Sequence, residues 1–211
     1  MDVTYLASSP KGDIPLGADD LSRPFRVTPR ETHPFLTLGD YLDMLRAFVL
    51  EAGRACFPNR RPMTRCRIQP EEIETVSICT EKHGALYHIA RVEVRAAGER
   101  FLLCATTALS DRAKEWLSRE TEILKELHRR SGLSCLPRPI RFEERPCGAR
   151  ERGLSALVLL ADWFEGFHEW HLGSAGEGEP TRVRIWDQDH GHRWAARREI
   201  DSLFREAARI L

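Results

Sequence analysis

The order of hydrophobic patterns between residues 73 and 172 constrains this chain more than any other feature. Residues 72–80 and 87–94 alternate branched apolar and polar side chains, which is the period-two pattern of β-strands. A short turn separates the two runs, so they predict a β-hairpin, and residues 101–107 predict a third strand that completes a meander. A long helical pattern and one more apolar strand follow. This order predicts an α+β fold built on an antiparallel sheet.

The helix predicted after the third strand begins at Ser110 or Asp111, either of which can cap its first turn, and it ends near Gly132. Steps of three and four residues from Ala113 predict an inward-facing apolar stripe. One acid, Glu120, falls on that stripe. Because a buried carboxylate needs a partner, Glu120 implies a cation, a metal ion, a solvated cleft, or a position at the edge of the stripe. The predicted stripe consists of Ala113, Trp116, Leu117, Ile123, Leu124 and Leu127.

The segments on either side of this region carry simpler signals. Residues 1–35 are rich in Pro, Gly, Asp and Ser and predict an irregular arm, whereas residues 38–52 have the periodicity of an amphipathic helix. Residues 154–161 form a nearly continuous apolar run that predicts a buried strand, and residues 173–180 have the composition of a flexible linker. The last helical pattern stops at an apolar pair without a cap, so we expect that the chain is cut within a helix.

These patterns divide the chain into three predicted parts. Residues 1–70 form an N-terminal arm and helix, residues 71–172 form a small lobe, and residues 173–211 form a linker, a short strand and a truncated helix. The predicted lobe is a twisted antiparallel sheet of about five strands with one long packed helix. The N-terminal helix extends it.

Charge and cysteine use argue against several classes of function. Thirty-two basic residues balance thirty-two acidic residues, so no net field favours nucleic acid or an anionic membrane as a partner. The six cysteines include no CxxC pair, and Cys79 and Cys104 lie inside strand patterns, which indicates small core residues rather than zinc ligands. The N-terminus has no signal-peptide pattern, and no window has the apolar length of a membrane span. We therefore expect a cytoplasmic protein.

The order of hairpin, third strand, helix with an acid, Pro-bearing connector and final strand resembles the N-terminal lobe of the protein-kinase-like fold. Within that fold it is most similar to the aminoglycoside phosphotransferase and choline kinase branch. The resemblance implies phosphoryl transfer from ATP with Mg²⁺ as the cofactor. It also implies a C-terminal lobe of the same protein as partner, which would carry the catalytic and metal-binding residues. On this basis we expect no catalytic residue and no metal ligand in the present chain, which should be inactive alone.

The same resemblance implies nucleotide-binding roles for particular residues. Glu120 is similar to the acid that pairs with the nucleotide-binding lysine of the family, and Gly84 lies in the hairpin where a phosphate loop is expected. The third strand contains no lysine, and Cys104 or Thr106 stands near the expected position. Lys82 in the hairpin is then the candidate for a relocated cation. The final strand and hinge, which would contact the adenine, comprise Leu160, Ala161, Asp162 and Trp163.

The missing lysine leaves a second function open. The lobe would then be a pseudokinase-like interaction or scaffold module that keeps the architecture without nucleotide chemistry. A third hypothesis is a metal-dependent enzyme, because acids and imidazoles cluster between residues 187 and 192. Their spacing matches neither an EF-hand nor an HExxH helix, so a turn is the better interpretation. The residues of that cluster are Asp187, Asp189, His190 and His192.

Overall fold

The computed structural model describes most of the chain, in two compact units, Met1–Trp163 and Phe164–Leu211. Both units combine a helix with antiparallel strands, so the α+β class predicted from the sequence is confirmed. The described residues are 1–9, 11–28, 30–55, 57–58, 65–66, 68, 70–83, 86–131, 136–148, 153–164, 169–173, 182–187 and 191–210.

The described residues contain the following strands and helices. The strands, in chain order, are β1 (Asp2–Ala7), β2 (Ile14–Pro15), β3 (Pro24–Thr28), β4 (Glu31–Thr37), β5 (Phe57–Pro58), β6 (Arg65–Cys66), β7 (Ile73–His83), β8 (His88–Ala96), β9 (Glu99–Ala108), β10 (Pro139–Cys147), β11 (Leu154–Asp162), β12 (Glu169–Gly173), β13 (Arg182–Asp187) and β14 (Gly191–Trp194). The helices are α1 (Ala18–Leu21), α2 (Leu38–Ala55), α3 (Asp111–Ser131) and α4 (Arg197–Ile210), and a 3₁₀ turn covers Pro70–Glu72.

In the described part of the first unit, the central sheet has seven strands in the order β10-β11-β9-β8-β7-β1-β2. All neighbouring strands are antiparallel except β1 and β7, which are parallel. The predicted hairpin, third strand and final strand are all present as β7, β8, β9 and β11. The sheet is wider than the predicted five strands because β1 and β2 join it.

The N-terminal arm was wrongly predicted to be irregular over its whole length. Strand β1 pairs in register with β7, from Asp2 opposite Thr75 to Ala7 opposite Thr80. Its alternating pattern is short and is followed by turn-forming residues, so the composition of the arm conceals it. By pairing with β7, this strand covers a backbone edge that would otherwise be open.

The two longer helices of the first unit pack on opposite faces of the sheet. On β11, Val158 and Leu160 point to the core that contains α2, whereas Leu159 and Ala161 point to a smaller core that contains α3. Helix α2 confirms the predicted N-terminal helix, and Thr37 and Asp40 form reciprocal capping hydrogen bonds at its start. The buried apolar residues of α2 include Tyr41, Leu42, Leu45, Phe48, Val49 and Ala52.

The second unit contains a three-stranded antiparallel sheet with β13 in the middle, followed by α4. Glu199 stabilises the start of α4, because its carboxylate accepts the backbone N–H of Ala196 at 2.8 Å and two hydrogen bonds from Arg193. The predicted strand and terminal helix of this region are confirmed. Of the predicted linker at 173–180, only Gly173 belongs to the described residues.

In the described part of the chain, no helix is both long enough and apolar enough to span a bilayer.

Candidate functional site

Helix α3 packs with a different face than its sequence predicts. Ala113, Leu117 and Thr121 are buried, and the Thr121 hydroxyl donates to the Leu117 carbonyl at 2.7 Å. A threonine can therefore fill the packed face, because its polar group is satisfied within the helix. Glu120 is exposed, so the inward position predicted for it is wrong, and the alternative position at the edge of the stripe agrees with the structure. The predicted stripe also failed at Trp116, Ile123 and Leu127, which are 46%, 58% and 38% exposed.

Four of the exposed residues of α3 form one row, which we call the α3 ridge: Trp116, Glu120, Ile123 and Leu127. Contacts on the two sides of the helix show where this ridge lies. Lys114 bonds Glu144 of β10 at 2.7 Å, so one side of α3 faces β10. On the other side, Glu120 interacts with Tyr87, the residue before β8. The α3 ridge therefore flanks the part of the sheet that contains β8.

The Tyr87 hydroxyl is a buried polar group at this boundary. It makes no hydrogen bond of acceptable geometry to a described residue, so its interaction with Glu120 is electrostatic. Burial, followed by the negative charge of Glu120, raises the pKa of Tyr87 to about 12. Tyr87 therefore stays neutral at physiological pH.

A row of paired residues crosses the sheet beside α3. Arg91 on β8 lies opposite Cys79 on β7 and opposite Cys104 on β9, and Cys104 in turn lies opposite Ala161 on β11. Paired residues of neighbouring strands share a face, and Ala161 packs in the α3 core, so this row lies on the α3 face. The sequence lacks a lysine near Cys104, but the sheet brings a guanidinium-bearing residue next to that position.

Arg91 is held by two carboxylates. Its Nε donates to Glu81 at 2.8 Å and its Nη2 donates to Asp13 at 2.5 Å. Burial alone would lower the pKa of Arg91, but the hydrogen bonds with Glu81 and then with Asp13 outweigh it and raise that pKa above its usual value. Glu81 lies where the pairing of β7 with β8 shifts by one residue, a β-bulge of the kind that often re-aims side chains near functional sites. The side chain of Arg91 is 18% exposed, so solvent still reaches it.

Cys79 completes this group of side chains. Its thiol donates to Asp13 at 3.5 Å, and the ligand atoms of Asp13, Cys79 and Glu81 all lie within 4.8 Å of one another. Burial, and then the charges of Glu81 and Asp13, raise the pKa of Cys79 to about 12. The thiol is therefore protonated at neutral pH, and Arg91 already neutralises part of the carboxylate charge. As it stands, the arrangement is an ion-pair network that offers one cation and two carboxylates.

The structure describes only part of the predicted nucleotide site. Lys82 belongs to β7, opposite Ile89, but its side chain and all of Gly84 lie outside the described residues. The relocated role of Lys82 therefore stays a prediction. Among the described residues, no ion pair joins Glu120 to Arg91.

The predicted hinge lies where β11 leaves the sheet, and Leu160 and Ala161 are buried there. The backbone N–H of Asp162 donates to Arg138 at 3.3 Å, and that of Trp163 donates to Leu102 at 3.1 Å. These two amide groups are already used within the protein. An adenine edge would have to bond other groups of this segment.

Arg91 was visible in the sequence only as a polar residue of an alternating strand. Its position beside Cys104 depends on the register between β8 and β9, which the sequence of neither strand reveals by itself. Of the cluster proposed between residues 187 and 192, Asp189 and His190 lie outside the described residues, as do the side chains of Asp187 and His192.

Comparisons with protein-family models, with curated proteins and with solved structures find no match for this chain. The likeness to kinase-like lobes therefore rests on the order of elements and on a few residues.

Proposed function

We propose that Met1–Trp163 is the nucleotide-binding small lobe of a kinase-like phosphotransferase, and that its nucleotide is ATP with Mg²⁺. The order of elements from β7 to β11 supports this proposal, because it is the order that the resemblance predicts. The observation that carries it is the register of β8 and β9. Arg91 lies opposite Cys104, near which a phosphate-holding cation is expected. Polyphosphate binding needs such a cation, and a guanidinium group meets that need well.

A melting experiment tests this function. Ligand at one hundred times its Kd stabilises a protein by about 2.7 kcal/mol, which for a chain of this size raises the melting temperature by roughly 5–10 °C. We expect that rise with ATP and Mg²⁺ together, and no turnover, because the catalytic residues would belong to the C-terminal lobe. Mg²⁺ alone and adenosine with Mg²⁺ are the controls. An unchanged melting temperature at millimolar ATP and Mg²⁺ would refute nucleotide binding by this unit.

The second candidate function is an interaction module without nucleotide chemistry. The α3 ridge favours it, because three large apolar side chains and an acid are exposed along one side of a helix. The occupied amide groups of Asp162 and Trp163 favour it as well. This function predicts that ATP and Mg²⁺ leave the melting temperature unchanged while the protein retains its native circular dichroism spectrum.

A further inference from the structure

We infer that Arg91 contacts the phosphates of a magnesium–nucleotide complex, with Asp13 and Glu81 orienting its guanidinium group and accepting the metal ion. This inference rests on the proposed function and extends it to three residues to which the sequence gave no role. It departs from the expectation, implied by the resemblance, that the metal ligands lie in a C-terminal lobe and none lies in this chain. Arg91 would be a binding residue. Asp13 and Glu81 would act on the phosphates through the guanidinium group and through the metal ion.

The hydrogen bonds of Arg91 leave part of its donor capacity unused. Nε and Nη2 each donate to a carboxylate, whereas Nη1 donates to no described residue. Two carboxylates on two nitrogens fix the plane of the guanidinium group, so little conformational entropy is lost when a third nitrogen binds an oxygen anion. A planar donor group held in one orientation suits a phosphate better than a mobile lysine does.

The charges of the three side chains explain why the ligand must bring a metal ion. One positive and two negative groups leave Arg91, Asp13 and Glu81 with a net charge of minus one, which repels free phosphate. A bound Mg²⁺ reverses that sign and makes the group attractive to phosphate oxygens. Carboxylate oxygens are the ligands that Mg²⁺ prefers, and those of Asp13 and Glu81 lie within 4.8 Å of each other. The protonated thiol of Cys79 is not a magnesium ligand and serves as packing.

A purely structural role for the same residues makes different predictions. Asp13 belongs to the segment between β1 and β2, so its bond to Arg91 also ties the N-terminal strands to β8. If that were its whole role, substitution of Arg91 would lower stability and leave the affinity for ATP and Mg²⁺ unchanged. The affinity of a folded Arg91 variant for ATP and Mg²⁺ therefore distinguishes the two roles.

The experiment compares Arg91→Gln with the matched control Arg95→Gln by calorimetric titration of ATP in the presence and absence of Mg²⁺. Arg95 lies on the same strand, four residues away, and bonds an acid, Glu93, at 3.0 Å. We expect Arg91→Gln to weaken binding of ATP with Mg²⁺ roughly tenfold to hundredfold, the range for a hydrogen bond to a charged group, and Arg95→Gln to bind like the wild type. Arg91→Lys keeps the charge without the fork, so it should fold and bind with intermediate affinity.

Each outcome separates the inference from the proposed function. If the wild type binds ATP with Mg²⁺ and both Arg91 variants bind equally well, the inference is wrong and the proposed function stands. If the wild type does not bind, both are wrong. If Arg91→Gln does not fold, Arg91→Lys decides, because unchanged affinity in that variant also overturns the inference.

The role of the metal ion has its own variant. Asp13→Asn removes one negative charge while keeping the size of the side chain. We expect it to weaken binding of ATP with Mg²⁺ and to strengthen binding of ATP in EDTA, so that the ratio of the two affinities falls. An unchanged ratio would show that Asp13 does not accept the metal ion.

Discussion

Two substitutions test which face of α3 packs against the sheet. The sequence pattern predicts the same effect on stability for both. Leu117 and Ile123 both belong to the predicted apolar stripe, but Leu117 is 1% exposed and Ile123 is 58% exposed. Truncation of each to alanine removes apolar atoms without adding a polar group and favours the helix slightly. The two variants therefore differ mainly in the burial of the side chain that is removed.

The expected loss of stability follows from the surroundings of Leu117. This side chain packs in a small core with Ala108, Ala113, Leu159 and Ala161. Removal of a buried leucine side chain costs about 2–5 kcal/mol, and the cost is higher where neighbours cannot fill the cavity. Three of these four buried neighbours are alanines with no flexible atoms to move, but four larger, partly buried side chains also pack against this core, so we expect about 2–5 kcal/mol. They are Tyr87, Leu124, Phe142 and Leu157. Ile123→Ala should change the free energy of unfolding by about 0.5 kcal/mol or less.

Urea unfolding followed by circular dichroism measures both values. An unchanged slope with a lower midpoint would show that Leu117→Ala lowers stability without changing the unfolded state. The melting temperature should fall by roughly 4–20 °C for Leu117→Ala and by no more than about 2 °C for Ile123→Ala. Equal losses in the two variants would refute the orientation of α3 described above, and with it the exposure of Glu120.

Two further predictions concern the ends of secondary structure elements. Gly148→Ala should destabilise the first unit by about 2 kcal/mol in the same urea assay, because φ is +85° there and a Cβ atom would approach Cδ1 of the buried Leu36 side chain to 2.6 Å. Gly98→Ala, with φ of +74° but no atom within 4 Å, should lose only about 1 kcal/mol, and equal losses would contradict the steric argument. In the second unit, hydrogen bonds from Arg193, then from Ala196, lower the pKa of Glu199 from 4.5 to about 2, so its stabilisation of α4 is present above pH 4.5 and is lost as the pH falls towards 2. The protection factors of the α4 amides, which correct for the slowing of intrinsic exchange in acid, should fall over that range in the wild type. In Glu199→Gln they should be lower but less pH-dependent; identical pH profiles of the protection factors would refute this role.

The sequence predicts those parts of the fold in which one residue alternation or one periodicity dominates. Strand β8 is an example, because Ala90, Val92 and Val94 are buried and the residues between them are partly exposed. The same reasoning found α2 and β11. It could not orient α3, since apolar residues occupy more of that helix than its packed face needs. Thr121, which the predicted stripe did not include, occupies a buried position.

The candidate site was harder to predict because it depends on contacts between distant segments. Arg91 meets Glu81 across a hairpin, but it meets Asp13 across 78 positions of the chain. No local pattern of residues 9–13 signals that contact, and the register of β8 with β9 is equally invisible in either strand alone. The sequence therefore indicated that a cation was missing from β9 and offered Lys82 as its replacement, but it did not indicate Arg91.

The parallel pairing of β1 with β7 has a consequence for the order in which the protein assembles. Strand β1 is synthesised before β7, and their pairing ends at Thr80, 73 positions after its partner Ala7. At ribosomal rates of 5–20 residues per second, roughly 4–15 s pass before that partner exists. Closing so long a loop is also slow compared with forming the β7–β8 hairpin. We therefore expect β1 to dock after the β7–β8 hairpin has formed, and Asp13 to reach Arg91 at that later stage.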